Sequence, residues 1–420
     1  MIFLASQTTV VLASVVIFLL AIILMVGMLL YVKTKLTPKG LVKVSINDGY
    51  KVIETEPGNT LLTTLGNNKV LLPSACGGGG TCGMCRCQID SGAGSILPTE
   101  TGFFTRKEQQ EHWRLACQVK VKEDISLHIH QEILGVKKWE CTVVSNNNVA
   151  TYIKEFVVRL PEGEILDFKS GGYIQIDVPK IDVDFKDMVI GDEYRPEWEK
   201  FGMFNLQMKN PEPTFRAYSM ANHPAEGNIV MLNIRIATPP FDRVNGGFQK
   251  LNPGICSSFI FSRKPGDKVM VSGPYGEFFL KKNDNEMMFI GGGAGMAPMR
   301  SHLFHLFHTV KETKKKVTFW YGARSWREVF YYDQFMDIQN RFPNFTFHLA
   351  LSDPMPEDNW TGYKGFIHQV IYDNYLSKHE EPEEIDYYLC GPPMMNSALN
   401  KMLYDLGVPD ENVLFDDFGG

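Results

Sequence analysis

The sequence predicts a multidomain chain: one N-terminal transmembrane helix, a small α+β domain, an antiparallel β-barrel, and an α/β domain on a parallel sheet. Three observations carry this. Residues 1–32, "MIFLASQTTVVLASVVIFLLAIILMVGMLLYV", contain no Asp, Glu, Lys, Arg or His. Between about 136 and 281, short β-patterned segments are punctuated by Gly and Pro. From 282 onward, strand-like and helix-like segments alternate. At 420 residues the chain is too long for a single core.

The first element, 1–36, reads as a retained anchor. From Val10 to Val32 an uninterrupted helix reaches about 34 Å, enough for a hydrocarbon core of about 30 Å. A cleaved signal peptide would show a basic start, a shorter apolar run and a small-residue cleavage site, and these are absent. Lys33, Lys35 and Lys39 follow the span, so the positive-inside bias places the rest of the chain on the cytoplasmic side of the membrane. The span has no ionisable residue, so it forms no ion pathway by itself. The net charge of −6, with no long basic run, argues against nucleic acid as a partner.

Residues 37–135 form the next unit. "LVKVSINDGYKVIETEPGNTLLTTLG" reads as two alternating strands with a turn at Asn47–Gly49, then a short helix from Thr60. Then comes "SACGGGGTCGMCRC", Ser74 to Cys87, with four of the chain's eight cysteines around a run of glycines. A strand-like segment around Cys117 follows. In the reducing cytoplasm structural disulfides are disfavoured. A zinc ribbon would show two Cys-x2-Cys pairs about 15–20 residues apart. Here Cys76, Cys82 and Cys85 crowd one loop and Cys117 returns from afar, which suits a cluster held by four thiolates. Gly77 to Gly80 and Gly83 allow positive φ and bring amide N–H groups close to sulfur. Cys87, two residues beyond Cys85, reads either as a replacement for one of these ligands or, from its place on an emerging strand, as a side chain that points elsewhere.

The barrel, 136–281, contains an insertion at about 180–213, "KIDVDFKDMVIGDEYRPEWEKFGMFNLQMKNPEP", charged, aromatic and without clean periodicity. "FRAYSMAN" puts Arg216 and Tyr218 on one side of a strand and Ser219 on the other. "LNPGICSS" supplies Gly254, Ser257 and Ser258 at a turn that opens a helix, whose free N–H groups suit a pyrophosphate. In the α/β block, 282–420, "FIGGGAGMAP" ends a strand and enters a helix. Its glycines miss the dinucleotide fingerprint: the sixth position is Met296 or Pro298. "YYLCGPPMM" closes a later strand of the same block, and ligands of open α/β sheets lie outside the carboxyl ends of strands.

The cysteine loop resembles that of plant-type [2Fe–2S] ferredoxins with one residue inserted before Cys82, which implies a β-grasp ferredoxin domain and the metal ligands Cys76, Cys82, Cys85 and Cys117. The ordered motifs Arg-x-Tyr-Ser, Gly-x-x-Ser, the glycine loop and Cys-Gly-x-Pro resemble the ferredoxin-NADP⁺-reductase-like family over nearly the whole chain after residue 40. That resemblance implies FAD in the barrel, with Arg216 on the pyrophosphate, Tyr218 against the isoalloxazine and Ser219 near flavin N5. Gly254, Ser257 and Ser258 would hold the diphosphate. It implies a nicotinamide dinucleotide over Gly291, Gly292, Gly293 and Gly295, with Gly391 and Pro392 beside it and Cys390 near the hydride path. Phe418, in the terminal "FDDFGG", would cover the flavin ring until nicotinamide arrives. The family loop usually has Thr where this chain has Ala294, so one hydroxyl contact is missing.

The order of anchor, ferredoxin, FAD and NAD domains also resembles the electron-input subunits of sodium-pumping NADH:ubiquinone reductases. This implies NADH oxidation by hydride transfer to FAD, single-electron transfer to the cluster, and delivery to flavins in partner membrane subunits of a multisubunit complex. A flavin must stand between hydride and a one-electron centre. The alternative is the NADH-dependent reductase component of a bacterial mono- or dioxygenase; those are usually soluble. A tethered redox sensor is the third reading, and a sensor needs no sustained NADH oxidation. His302, His305 and His308 share a helical face with no carboxylate among them and read as packed or solvated side chains. Arg324 and Arg327 read either as surface arginines or as readers of a 2′-phosphate.

Overall fold

The computed structural model describes residues 2–36, 40–242, 244 and 246–416; Lys39 and Phe418 lie outside the described residues. Two compact units emerge, Met1–Asn68 with Cys85–Ile129, and Lys69–Met84 with His130–Gly420.

The first unit begins with α1 (Ile2–Leu36). Within it Thr9–Val32, 24 residues, is long and apolar enough to cross a membrane, and none of that stretch is buried by the protein. Ser14 Oγ donates to the Val10 carbonyl at 2.8 Å, so its hydroxyl is satisfied inside the helix. Strands β1 (Val42–Ile46) and β2 (Lys51–Thr55) form an antiparallel hairpin. Its turn places Asn47 and Asp48 at φ +49° and +54°, the left-handed pair that matches the strands' twist. Thr60 caps α2 (Leu61–Asn67) by accepting from the Thr63 N–H, and Leu61, Leu62 and Leu65 are buried.

After α2 come β3 (Arg86–Ser91), α3 (Arg106–Gln110), β4 (Trp113–Leu115) and β5 (Ile125–His128). The sheet order is β2-β1-β5-β3-β4, with β1 and β5 parallel. Cys117 falls just past β4, in a turn rather than on the strand. The buried pair Arg114–Glu100, at 2.8 Å, fixes this corner. Glu100 also accepts from the Leu97 and Leu115 N–H groups, and Arg114 donates to the Ala93 and Gly94 carbonyls.

The second unit holds a closed antiparallel sheet and a parallel one. Following α4 (Gln131–Leu134), β6 (Lys137–Ala150), β7 (Ile153–Arg159) and β8 (Tyr173–Val178) start the first. The insertion, which shows no clean periodicity in sequence, folds: β9 (Ile181–Asp184) pairs with β10 (Gln207–Asn210) around α5 (Arg195–Lys200). Trp198 is fully buried there against Phe185, Phe204 and Phe261, and its Nε1 donates to the Thr151 carbonyl at 2.8 Å. Burying that indole with its N–H satisfied anchors the insertion in the sheet's own core.

Strands β11 (Thr214–Ser219) and β12 (Ile229–Arg235), the short hairpin β13 (Phe241–Asp242) and β14 (Gly247–Phe248), α6 (Ile255–Ser262) and β15 (Lys268–Tyr275) complete this part. The order is β11-β8-β15-β6-β7-β12. A bridge from Met220 to Leu232 and the Ala221 N–H to Met231 carbonyl bond (2.7 Å) close the edges into a barrel.

The parallel sheet alternates β16 (Met287–Gly292), α7 (Met296–Phe304), β17 (Val317–Ala323), α8 (Tyr332–Arg341), β18 (Phe345–Leu351), β19 (Tyr363–Lys364), α9 (Ile367–Asn374), β20 (Asp386–Cys390), α10 (Pro393–Asp405) and β21 (Val413–Phe415). Its order is β19-β18-β17-β16-β20-β21, all parallel. Every residue of β16 and β20 is buried, as expected of central strands covered on both faces.

Candidate functional site

The cysteines assemble in pairs. Cys76 and Cys82 bring their sulfurs to 3.3 Å, on a loop where Gly77, Gly78, Gly80 and Gly83 take φ of +64°, +89°, +79° and +68°. The Cys82 thiol's hydrogen bond holds Cys76 down to about 3, and the same pairing pushes Cys82 up. Cys85 and Cys117 form the second pair; the bond to Cys117 and then burial push Cys85 up. Two thiolates so close repel, so each pair keeps a shared proton unless a cation balances it, which is what iron supplies. None of the eight cysteines is in a disulfide. Among the described residues no three His, Cys, Asp or Glu side chains are grouped closely enough to hold a metal ion. Cys87 is fully buried and its thiol faces the Arg114 carbonyl, at 3.8 Å.

The loop carrying Cys76 and Cys82 rests on the barrel. Gln175, on β8, donates to the Leu72 and Ser74 carbonyls at 3.4 and 3.3 Å. A Cβ at Gly77 would lie 2.3 Å from Arg216 Nη1 and 2.5 Å from the Phe215 carbonyl oxygen, so only glycine fits. Strand alternation on β11 works as expected. Tyr218 hydrogen-bonds Cys256 on α6 and Arg216 acts on the same thiol, while Ser219 turns away to Asp416.

At the start of α6, Gly254 is the cap and no side chain caps the helix. A Cβ there would meet Ala237 Cβ at 2.6 Å, and Ser258 Oγ is buried without a hydrogen-bond partner among the described residues. An uncapped helix start and an orphaned hydroxyl are what a diphosphate would satisfy. Ser257 Oγ is already engaged, accepting from the Ala237 N–H at 3.1 Å.

The glycine turn after β16 lies against the end of β20. Gly293 has φ +57°, and a Cβ at Gly295 would fall 2.0 Å from the Cys390 carbonyl oxygen. Cβ atoms at Gly292 and Gly391 would both strike Met395, at 2.7 and 2.1 Å. Gly291 pairs with Cys390 across the two strands, and Pro392 caps α10. Gly293 and Gly295 are therefore fixed by backbone, through a left-handed φ and the Cys390 carbonyl, whereas Met395 could swing away from a Cβ at Gly292 or Gly391. His302 is fully buried among Phe278, Phe289 and Tyr388, and burial drops it to about 3.

Comparison with known proteins sets these groupings in context. Residues 44–122 match the family "2Fe-2S iron-sulfur cluster binding domain", and residues 289–401 match "Oxidoreductase NAD-binding domain". The Na(+)-translocating NADH-quinone reductase subunit designated F in Klebsiella pneumoniae is 53% identical over 97% of this chain and 99% of its own length. Its counterpart in Neisseria meningitidis serogroup C is 52% identical over 97% and 99%. The chain belongs to this reductase-subunit family. In fold, it resembles the Amycolatopsis cytochrome P450 reductase GcoB (TM-score 0.60, 23% identity, 90% of this chain and 98% of the other). A ferredoxin reductase in carbazole 1,9a-dioxygenase is comparable (0.58, 23%, 90% and 98%).

Three residues of this reductase chain escape sequence reasoning. Gln175 sits mid-strand, Asp416 is one of several acidic residues near the end, and Glu197 lies in the irregular insertion. Each matters through a partner distant in sequence, so no local pattern marks it.

Proposed function

We propose that the chain is the electron-input subunit of a sodium-pumping NADH:quinone reductase, anchored by α1 in the bacterial inner membrane with its folded units on the cytoplasmic side. The near full-length identity of 53% to the Klebsiella pneumoniae protein carries this reading. When bound, FAD takes two electrons as hydride from NADH and releases them singly, and a [2Fe–2S] cluster carries one at a time.

The residues divide the work. The pairs Cys76–Cys82 and Cys85–Cys117 are assigned to the two irons. Arg216, Tyr218 and Ser219 line the flavin, and Gly254, Ser257 and Ser258 receive its diphosphate at the start of α6. Gly291, Gly292, Gly293 and Gly295 admit the dinucleotide backbone, with Gly391, Pro392 and Cys390 at the neighbouring strand end. The roles of Ser219, Cys390 and Phe418 in hydride transfer rest on the family resemblance. Electrons then pass to flavins of partner subunits, where the quinone is reduced and Na⁺ moves, since the apolar stretch Thr9–Val32 offers no charged group for an ion.

The test is an iron and flavin count with an anaerobic NADH titration of the purified protein, followed by absorption and EPR. About two irons and one FAD per chain, both reduced by NADH, are expected. A colourless or zinc-loaded protein would sink the proposal. Cys76→Ala is expected to spare flavin reduction by NADH while stopping onward one-electron delivery. A dioxygenase-reductase role predicts instead that a soluble oxygenase partner accepts the electrons and that quinone reduction is absent.

A further inference from the structure

The loop after β17 carries two arginines in an unusual company of acids. Gly291 and Gly292 of the glycine turn's strand pair with Tyr321 and Gly322 of β17, so Arg324 begins immediately beyond the carboxyl end of the adjacent strand. In dinucleotide-binding sheets that position decides between cofactors. An acid there takes the ribose 2′-hydroxyl of NAD, and an arginine there accommodates the 2′-phosphate of NADP.

Both arginines point to a residue from outside the parallel sheet. Glu197, on α5 of the insertion, places Oε2 3.3 Å from Arg327 Nη2 and Oε1 3.7 Å from Arg324 Nη1. Asp353, after β18, lies 3.5 Å from Arg324 Nε, and Glu328 lies 3.7 Å from Arg327 Nε. Glu197 is 12% exposed and Arg327 22%, so this pair is screened far less than a surface contact. Trp198, the next residue, is locked in the core, which fixes the helix that delivers Glu197. Two positive charges therefore face three carboxylates. A ribose 2′-phosphate would add close to two further negative charges. A 2′-hydroxyl adds none.

We propose that Glu197 selects NADH over NADPH by occupying Arg324 and Arg327, so that the insertion serves as a specificity element of the nucleotide site. The inference rests on the reading of the glycine turn as that site. Glu197 acts through the arginines rather than on the nucleotide. Arg327 Nη2 is the donor that Glu197 engages, so removing the acid frees it.

The experiment uses the full-length, FAD-loaded protein in detergent. Binding of 2′,5′-ADP and of 5′-AMP is measured by calorimetry, and kcat/KM is measured for NADPH and NADH with ferricyanide as acceptor. Wild-type protein is expected to bind 2′,5′-ADP no more tightly than 5′-AMP. Glu197→Gln is expected to tighten 2′,5′-ADP, and to raise the NADPH-to-NADH ratio of kcat/KM, by about tenfold. Adding Arg327→Gln should abolish that gain. An unmoved ratio in Glu197→Gln, or a gain that survives the second substitution, would overturn the proposal while leaving the site reading intact. A wild-type preference for 2′,5′-ADP would also overturn it, whether or not the variant folds. Wild-type protein that binds neither nucleotide would overturn the site reading and this proposal with it.

Discussion

Ser219 Oγ donates to Asp416 Oδ2 at 2.6 Å, joining the end of β11 to the segment that follows β21 across 197 positions of sequence. Asp416 is itself tied back, its N–H donating to the Leu389 carbonyl at 3.0 Å, an ordinary backbone bond. Asp416 is thus held between the strand ends assigned to flavin and nicotinamide. Asp416→Ala removes one charge-assisted bond, worth about 1–2 kcal/mol. If the tail covers the flavin as the family resemblance implies, releasing Asp416 should lower the KM for NADH by roughly threefold to tenfold, read by steady-state kinetics. A raised KM would show that the contact aids nicotinamide binding instead.

Gly254 offers a sharper test of the flavin assignment. Its Cβ would lie 2.6 Å from Ala237 Cβ, a contact that backbone on both sides must relieve. Gly254→Ala should therefore shift the start of α6 and weaken FAD retention by at least about tenfold, roughly 1.4 kcal/mol. The flavin-to-protein ratio after gel filtration checks this. Iron content should stay unchanged, because none of the four assigned cysteine ligands lies on α6. Full flavin retention would move the diphosphate site elsewhere.

In the first unit, Glu100 is the comparable point of weakness. It is wholly buried, pairs with Arg114 at 2.8 Å and accepts two backbone N–H groups. Glu100→Ala leaves a buried guanidinium unpaired, a loss of about 3–5 kcal/mol. Thermal unfolding should show this unit melting earlier, with iron lost and FAD kept. Simultaneous loss of both cofactors would mean that the two units unfold as one.

What is legible in the sequence follows from how local each signal is. The span shows because charge is absent from every position of 1–32, and the hairpin shows because Asn47, Asp48 and Gly49 serve one turn. The cysteine loop shows by its crowded spacing and the glycine turn by its place between a strand and a helix, whereas the pairing of the sulfurs emerges only in the fold. The insertion does not, because Phe185, Trp198, Phe204 and Phe261 have no common period and meet only in the folded core. Glu197 with Arg327, 130 residues apart, is invisible for the same reason. Cys117 looks strand-like in sequence, yet β4 stops at Leu115, where the Glu100 carboxylate takes the Leu115 N–H and the chain turns.

The contact between barrel and parallel sheet predicts a pH dependence. Arg300 of α7 reaches Glu226 at 2.8 Å and the Ala221 carbonyl at 2.9 Å. Burial pushes the Glu226 carboxyl up, but hydrogen bonds from His223 and Arg300 outweigh it and hold the group down to about 2. A carboxyl depressed in the folded state stabilises fully above its unfolded value of 4.5, and that contribution is lost as pH falls from about 4.5 to about 2. Partial exposure screens the pair, leaving at most about 2 kcal/mol. Urea midpoints of wild type and Glu226→Gln should therefore differ above pH 5 and converge towards pH 2. The variant is the weaker protein at neutral pH because Arg300 stays buried beside a neutral amide. A gap between the two that persists undiminished at pH 2 would assign the stabilisation to packing rather than to charge.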